Sequence, residues 1–275
     1  MNPLFLENLL RNYFLEDAHY SDLTTDSISS DKTCDTYILT KEDGILAGGI
    51  FLEPLFKLLD KNTEIELLKG EGKRIKKGDI VAHIRGKDKT ILYGERTALN
   101  IVQRCSGIAT KTHQLSSLIE NHKAQLTDTR KTTPGFRYFE KYAVRIGGGT
   151  NHRMGLFDCV LIKDNHIKIA GSIKEAVKRA KKTIPFTTKI EVEVENLKML
   201  KEALSLKVDI IMLDNMDIEN MEKAVEIANG KAVLEASGNI NERNIEQVAK
   251  TGVNYISCGA IIHHAVWLDM SMKIS

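Results

Sequence analysis

The sequence has almost no net charge, few cysteines and no long apolar run. Its 275 residues include 39 Lys and Arg against 37 Asp and Glu, which leaves a formal charge of +2. So small a charge excludes the general basic field that draws proteins onto nucleic acid or anionic membrane surfaces. No apolar stretch is long enough to cross a bilayer. We therefore expect neither a nucleic-acid partner nor a membrane partner.

The four cysteines, Cys34, Cys105, Cys159 and Cys258, are widely scattered. They form no CxxC pair and have no histidine at metal-ligand spacing, which argues against a structural zinc site and a disulfide framework. The first residues, MNPLFLENLLRNYFLED, have acidic side chains and amphipathic spacing, so they predict a docking helix and not a signal peptide. These features predict a soluble, cytoplasmic protein.

The dinucleotide-binding fingerprint is also absent. No GxGxxG follows the first strand of the second half, and the run Gly147-Gly148-Gly149 continues as Thr-Asn-His-Arg instead of opening a helix. The chain is nevertheless large and 42% hydrophobic, so it can bury the core of one barrel or of two unequal domains.

The organisation of the chain changes near residue 110. Short strands with turn glycines are predicted at Thr36–Leu39, at Gly44–Gly49 and in a hairpin over EGKRIKKGDIVAHIRG. A helix over Gly94–Thr112 follows, and we expect it to cross into a second domain. We predict a first domain over residues 1–111 and a second over 112–275, with the last residues packing back on the first.

Buried strands alternate with amphipathic helices after residue 124. The predicted strands are Ala124–Thr129, Cys159–Lys163, Lys189–Val194, Val208–Asp214, Ala232–Ser237 and Tyr255–Gly259. The predicted helices are Ser172–Lys182, Asn196–Ser205, Ile218–Asn229 and Glu242–Thr251. This alternation predicts a parallel sheet covered by helices, and we choose an incomplete or full α/β barrel over an open doubly wound sheet.

Cations are concentrated in one segment, residues 128–168. They are Arg130, Lys131, Arg137, Lys141, Arg145, Arg153, Lys163 and Lys168. A local excess in a neutral chain predicts a site for a small anionic ligand and not a duplex-binding face.

The carboxyl ends of barrel strands converge on one mouth. Here they carry Arg130-Lys131, Lys163, Glu193, Asp214, Ser237-Gly238 and Gly259. This order suits a ligand with carboxylates at one end, a Mg²⁺-loaded pyrophosphate in the centre and a sugar phosphate at the other end. Two carboxylates can hold Mg²⁺ or a ribose diol, and the glycine turns can present amides at helix N-termini to a phosphate.

Several motifs resemble one family. They are DTRKTTPGFR, EKYAVRIGGGTNHRMGLFDCVLIKDNH, KIEVEVEN, DIIMLDNM, LEASGNI and YISCGA, and the resemblance covers nearly the whole chain. The chain is similar to nicotinate-nucleotide pyrophosphorylase (carboxylating), or quinolinate phosphoribosyltransferase. This resemblance implies an N-terminal α+β sandwich domain and a C-terminal α/β barrel of the incomplete, TIM-like type II phosphoribosyltransferase class. It also implies that quinolinate and phosphoribosyl pyrophosphate give nicotinate mononucleotide, pyrophosphate and CO₂ in NAD biosynthesis.

The resemblance also implies the site residues and the assembly. It places Arg130, Lys131, His152, Arg153 and Lys163 around quinolinate, completed by Arg96 from the neighbouring subunit of a homodimer or higher oligomer. Its remaining substrate contacts are Thr129, Glu193, Asp214, Ser237, Gly238, Asn239, Gly259, Ala260 and His263. Glu193 and Asp214 are the Mg²⁺ residues, and together with Lys163 and Arg130 they make the catalytic set.

Some alternatives remain open from the residues themselves. Glu191 and Glu195 share the two-residue alternation of Glu193, and His263 and His264 suit a packing role as well as a ligand role. A phosphoribosyltransferase for another aromatic acid would share the fold, although TRKTTPG and NHR favour a dicarboxylate. A Schiff-base enzyme using Lys163 and a non-catalytic scaffold are the rivals from other classes.

Overall fold

The structure, a computed structural model, describes residues 2–275 and divides into two compact units. The first comprises the chain up to Lys111 together with Ala265–Ser275, and the second comprises Thr112–His264. No helix within residues 2–275 has both the length and the apolar character needed to span a membrane.

The first unit is built on an antiparallel sheet. Its helices are α1 (Pro3–Asp17), α2 (Leu23–Ile28), α3 (Leu52–Leu59) and α4 (Asp88–Ser117), the last of which ends in the second unit. Its strands are β1 (Thr33–Thr40), β2 (Gly44–Ile45), β3 (Glu64–Leu67), β4 (Arg74–Ile75), β5 (Ile80–Lys87) and the last strand of the chain, β12 (Met270–Ile274). Four of them form a sheet in the order β12-β1-β5-β3, and α3 packs on β3 and on α1.

Two predictions for this unit need correction. The predicted hairpin over residues 71–86 does not form, because β4 pairs with β2 while β5 pairs with β1 and β3. The predicted helix start at Gly94 is wrong as well, since α4 begins at Asp88. Gly94 lies inside α4, where an added Cβ would come within 2.5 Å of the Phe56 ring, so close packing explains this glycine.

The second unit is a parallel α/β barrel that stays open between its first two strands. Its strands are β6 (Gln125–Thr127), β7 (Val160–Ile162), β8 (Ile190–Val194), β9 (Ile210–Asp214), β10 (Val233–Ser237) and β11 (Tyr255–Ser257). Its helices are α5 (Arg137–Ile146), α6 (Asp164–Ala170), α7 (Ile173–Thr183), α8 (Leu197–Ser205), α9 (Ile218–Ala228), α10 (Ile245–Lys250) and α11 (Ala260–His263). The sheet order β6-β11-β10-β9-β8-β7 leaves β6 and β7 as edges, so the predicted incomplete barrel is confirmed.

The two faces of the barrel strands differ in polarity. One face of β8 and β9 is apolar and fully buried, as at Val192 and Leu213, and α8 packs on this side against β8. The other face carries the row Glu193, Met212 and Glu235, which are direct neighbours in the parallel register. The alternation of side chains along each strand therefore directs the polar groups to the inside of the barrel.

Some helices of the barrel begin directly after a side chain that caps them. Ser172, Asn196 and Asp217 each accept hydrogen bonds from first-turn amides of the helix that follows, which satisfies donors that have no partner within the helix. Asn196 and Asp217 stand close after the ends of β8 and β9, so the loops after these two strands are short.

Candidate active site

The carboxyl ends of the barrel strands carry the residues that the sequence predicts for the site. In sheet order from β7 to β6 they are Lys163, Glu193, Asp214, Ser237, Gly259 and Arg130. Since all six strands are parallel, these ends lie along one edge of the sheet, and Asp214 and Ser237 are direct register partners. Arg96 lies in the first unit, exposed on α4, and its part in the site stays a prediction.

The three glutamates of the KIEVEVEN segment have different environments. Glu191 is fully buried inside the barrel and Glu195 is exposed beyond the end of β8. Glu193, between them, accepts a hydrogen bond from Lys163 Nζ at 2.6 Å, and its side chain is 12% exposed. The structure thus pairs the carboxylate of Glu193 with Lys163 at the mouth, whereas Glu191 faces His152 inside the barrel.

Three arginines form the cationic part of the site. Burial lowers the pKa of the Arg130 guanidinium, and the like charges of Arg153 and Arg137 lower it further. Arg130 Nε is buried without a hydrogen-bond partner among the described residues. Arg153 Nη1 is held by the Cys159 carbonyl at 2.9 Å. Mutually repelling guanidinium groups with an unused buried donor are a suitable environment for a carboxylate, which would accept hydrogen bonds and relieve the repulsion.

Carboxylate and amide oxygens follow β9. Asp214 accepts a hydrogen bond from Asn215 Nδ2 at 3.1 Å, and Asn215 Oδ1 accepts one from Asn239 Nδ2 at 3.0 Å. Together with Glu193 on the neighbouring strand, Asp214 offers the hard oxygen donors that Mg²⁺ prefers. Two protein carboxylates fit this ion well, because Mg²⁺ usually completes its shell with water and substrate phosphate oxygens.

The turn after β10 depends on a glycine. Gly238 has a φ of +103°, and an added Cβ would lie 2.2 Å from Asn215 Oδ1. Only glycine therefore allows this turn to pack against Asn215. The prediction that the turn opens a helix is wrong, since α10 begins only at Ile245 and the intervening chain is tied by Asn241 and Asn244 to the Asn239 carbonyl.

The turn after β11 does lead directly into a helix, because Gly259 is the N-cap of α11. An added Cβ at Gly259 would come within 2.9 Å of His263 Nε2 and 3.1 Å of Lys131 Cδ, so both side chains gather over this glycine. Burial lowers the pKa of His263, and the nearby His264 and Lys131 lower it further. A neutral histidine and a lysine beside two backbone amides suit a phosphate group.

A buried ion pair lies beside the arginines of the cationic part. Lys141 and Asp128 are both fully buried, and Lys141 Nζ donates to Asp128 Oδ1. Burial raises the pKa of Asp128 and lowers that of Lys141, while their mutual attraction opposes both shifts. Removing one partner from such a pair usually costs about 3–5 kcal/mol. The concentration of cations in residues 128–168 predicts that Lys141 binds the ligand, but its charge is paired with Asp128 inside the protein.

His152 occupies the interior of the barrel. Its Nδ1 accepts the Arg153 amide at 2.8 Å, and its Nε2 lies 3.1 Å from Glu191 Oε2 and 3.3 Å from Glu235 Oε2. Burial lowers the His152 pKa, whereas the two carboxylates raise it by more, to about 10. A second proton would have to sit on Nδ1, however, and a protonated Nδ1 cannot accept the Arg153 amide. In the neutral form of His152, the contact with the Arg153 amide therefore fixes the hydrogen on Nε2.

This assignment also bears on metal binding at the same three residues. His152, Glu191 and Glu235 place one possible ligand atom each within 4.8 Å of one another. A metal on Nε2 requires the hydrogen on Nδ1, where the Arg153 amide already points. The trio is therefore poorly arranged for a metal. Glu191 Oε2 faces His152 Nε2, whereas Glu191 Oε1 is buried without a hydrogen-bond partner among residues 2–275. Burial raises the pKa of Glu191.

Three residues that the sequence did not assign to the site are central to this arrangement. Asp128, Asn151 and Glu235 are all buried or bound to buried groups inside the second unit. Their only sequence signal is position, because each lies within or beside a motif that carries a site residue.

A parallel barrel whose strand ends combine arginines, carboxylates and glycine turns defines a class of enzymes that bind small polyanionic substrates. Residues 22–106 match the family described as quinolinate phosphoribosyl transferase, N-terminal domain, and residues 108–273 match its C-terminal domain. The chain belongs to the quinolinate phosphoribosyltransferase family.

Named relatives agree along the whole chain. A probable nicotinate-nucleotide pyrophosphorylase [carboxylating] of Bacillus subtilis is 42% identical over 100% of this chain and 95% of its own length. A mitochondrial quinolinate phosphoribosyltransferase [decarboxylating] of Nicotiana tabacum is 38% identical over 98% of this chain and 82% of its own length. The solved structure of the nicotinate-nucleotide pyrophosphorylase from Francisella tularensis superposes with a TM-score of 0.93 at 43% identity, covering 100% of this chain and 98% of that one.

Proposed function

We propose that this chain converts quinolinate and phosphoribosyl pyrophosphate into nicotinate mononucleotide, pyrophosphate and CO₂, with Mg²⁺, in NAD biosynthesis. The observation that carries the proposal is the single barrel edge along which half-buried arginines, two carboxylates and two glycine turns are found. The names of the full-length relatives support the same reaction. Cytoplasmic location is a prediction that goes with it.

The cationic part is proposed to bind quinolinate. Quinolinate is a flat dianion, and the planar guanidinium groups of Arg130 and Arg153 can bind its carboxylates through paired hydrogen bonds. The unused buried Nε of Arg130 supports this role. Lys163 adds a third cation whose partner, Glu193, can turn to other ligands when substrate arrives.

The other strand ends are proposed to bind phosphoribosyl pyrophosphate. Glu193 and Asp214 would hold Mg²⁺ or the ribose, and the bound ion would neutralise charge on the departing pyrophosphate. The turns at Ser237-Gly238-Asn239 and Gly259-Ala260, with Lys131 and His263, would hold the 5′-phosphate. Thr129, whose Oγ1 accepts the Lys131 amide at 3.0 Å, would shape the loop between the two substrates.

The reaction needs orientation and charge stabilisation more than a nucleophilic side chain. The quinolinate nitrogen forms a bond to the ribose C1 as the bond from C1 to pyrophosphate oxygen breaks, and that electron pair leaves with pyrophosphate. The transition state has oxocarbenium character, so carboxylates near the ribose stabilise it. The pyridinium nitrogen then accepts the electrons released when the neighbouring carboxylate leaves as CO₂, and the ring carbon takes a proton.

The reaction is tested by release of CO₂ from carboxyl-labelled quinolinate. We expect release only when Mg²⁺ and phosphoribosyl pyrophosphate are both present. Release without phosphoribosyl pyrophosphate, or reaction with nicotinate in place of quinolinate, would contradict the proposal. Borohydride trapping on Lys163 with a carbonyl substrate is the outcome that would favour a Schiff-base enzyme.

We further propose a homodimer in which Arg96 of each subunit completes the quinolinate pocket of the other. Mixing inactive Arg96→Ala chains with inactive Lys163→Ala chains should then restore part of the activity, because one site in each mixed dimer would be intact. Dimers shown to contain one chain of each kind, and yet inactive, would exclude the shared site.

A further inference from the structure

The segment Asn151-His152-Arg153 follows Thr150, which is bridged to Thr127 of the edge strand β6, and it is fixed by buried polar contacts. The His152 amide donates to Asp128 Oδ1 at 2.9 Å, and the His152 carbonyl accepts from Lys141 Nζ at 3.0 Å. The next amide, that of Arg153, donates to His152 Nδ1. Three consecutive backbone polar groups are thus held by side chains, and Arg153 has little freedom to move.

Asn151 ties the same contacts together. Its Nδ2 donates to Asp128 Oδ2 at 2.6 Å and to the Lys141 carbonyl at 2.9 Å. Asp128 follows β6 and stands two residues before Arg130, while Lys141 belongs to α5. The buried pair therefore joins the backbone that carries Arg130 to the backbone that carries Arg153.

Simple stabilisation does not explain why this site uses charges. Burying an ion pair is often no better for stability than burying apolar side chains of the same size. Charged and hydrogen-bonded groups do impose direction, however, since each contact has a required geometry. A pair that contacts both arginine-bearing segments is well placed to set the separation of the two guanidinium groups.

We propose that Lys141, together with Asp128, is a positioning residue that sets the spacing of Arg130 and Arg153 for an aromatic dicarboxylate. This inference rests on the proposed function, because it names the feature that makes the pocket selective. Lys141 touches no substrate in this role. It acts through the His152 carbonyl and through Asp128.

The test compares two double variants of the full-length enzyme, in each of which the buried ion pair is replaced by two uncharged side chains. Asp128→Asn with Lys141→Met removes both buried charges and the donor to the His152 carbonyl. Asp128→Asn with Lys141→Gln removes the same charges but keeps an amide donor. We expect the Met pair to raise the KM for quinolinate about tenfold, the effect of one lost buried hydrogen bond. The KM for phosphoribosyl pyrophosphate should not change, and the Gln pair should recover most of the loss.

Three results would overturn the inference: an unchanged quinolinate KM in a folded Met pair, an equal rise in both KM values, and no difference between the Met and Gln pairs. If the Met pair does not fold, Asn151→Ala decides in its place, since a selective rise in the quinolinate KM supports the inference and no rise contradicts it. Lys223→Met, which breaks the exposed pair with Glu219, is the control and should leave both KM values unchanged. Failure of the proposed function would instead appear in the unmodified enzyme as no reaction with quinolinate.

Discussion

The two halves of the proposed site are constructed differently. The half that includes Arg130 and Arg153 is held by side chains, chiefly the buried Asp128–Lys141 pair and its contacts with His152. The half after β10 and β11 is held by backbone conformation, at glycines where a side chain would collide with its neighbours. Charge and side-chain geometry should therefore control the binding of quinolinate, and turn geometry should control the binding of phosphoribosyl pyrophosphate.

The largest expected effect comes from Arg130→Ala, which should remove quinolinate binding and leave phosphoribosyl pyrophosphate binding intact. Losing a charge partner that is buried against the bound ligand costs about 2–5 kcal/mol, so kcat/KM for quinolinate should fall at least about thirtyfold. Calorimetric titration with each substrate measures the two affinities. Arg145→Ala, at an exposed arginine of α5, is the matched control and should have little effect. Equal loss of both affinities would show that the two halves are not separate.

Gly238→Ala tests the half that depends on turn geometry. The new methyl group would have to occupy a positive φ and lie 2.2 Å from Asn215 Oδ1, so the turn must move. We expect the KM for phosphoribosyl pyrophosphate to rise at least about tenfold and the free energy of unfolding to fall by about 1–3 kcal/mol. The KM for quinolinate should stay within about twofold, a change worth less than 0.6 kcal/mol by RT ln 2.

Gly171→Ala separates the effect of a strained positive φ from the effect of a collision such as that with Asn215. Gly171 has a φ of +92°, but no other group within residues 2–275 lies within 4 Å of an added Cβ. This variant should lose stability through the strained φ and keep both KM values. If Gly171→Ala impaired the phosphoribosyl pyrophosphate KM as much as Gly238→Ala does, the turn after β10 would have no special role.

Glu193→Gln acts where the two halves meet, since Glu193 pairs with Lys163 and is proposed to hold Mg²⁺. Loss of one carboxylate ligand should raise the Mg²⁺ concentration for half-maximal activity about tenfold. Activity measured over a Mg²⁺ titration checks this. Glu195→Gln makes the same change at the exposed neighbour and should leave the Mg²⁺ requirement unchanged. The reverse order would mean that Glu195 is the metal residue.

The sequence predicts the strands of the second unit better than it predicts the side-chain contacts inside the barrel. The sequence predicts all six barrel strands because a short, continuous apolar run is a local signal, whereas the β2–β4 pairing depends on residues about thirty positions apart. Arg130 and Lys163 could be placed because strand ends meet at one edge. Lys141 could not be recognised as buried, because its partner Asp128 lies 13 residues away and reaches it only when α5 packs on the barrel.

The smallest expected effect is a pH dependence of phosphoribosyl pyrophosphate binding that arises from His263. This side chain lies in the half of the site after β10 and β11. Burial and the charges of His264 and Lys131 lower its pKa in the free enzyme, so the neutral form predominates near neutral pH. A bound phosphate favours the imidazolium and raises that pKa, so binding takes up a proton and strengthens as pH falls towards the free-enzyme pKa. Below that pKa the imidazolium is already present, and the gain stops.

The KM for phosphoribosyl pyrophosphate should therefore fall about threefold more between pH 8 and pH 6 in the unmodified enzyme than in His263→Gln, a modest gain for one partly exposed charge. Titration of the substrate phosphate is common to both enzymes and cancels in the comparison. His264→Gln should keep the pH dependence, because the imidazole nearest to Gly259 is that of His263. Identical profiles for all three enzymes would assign His263 to packing, and the phosphate would then be held by turn geometry and Lys131.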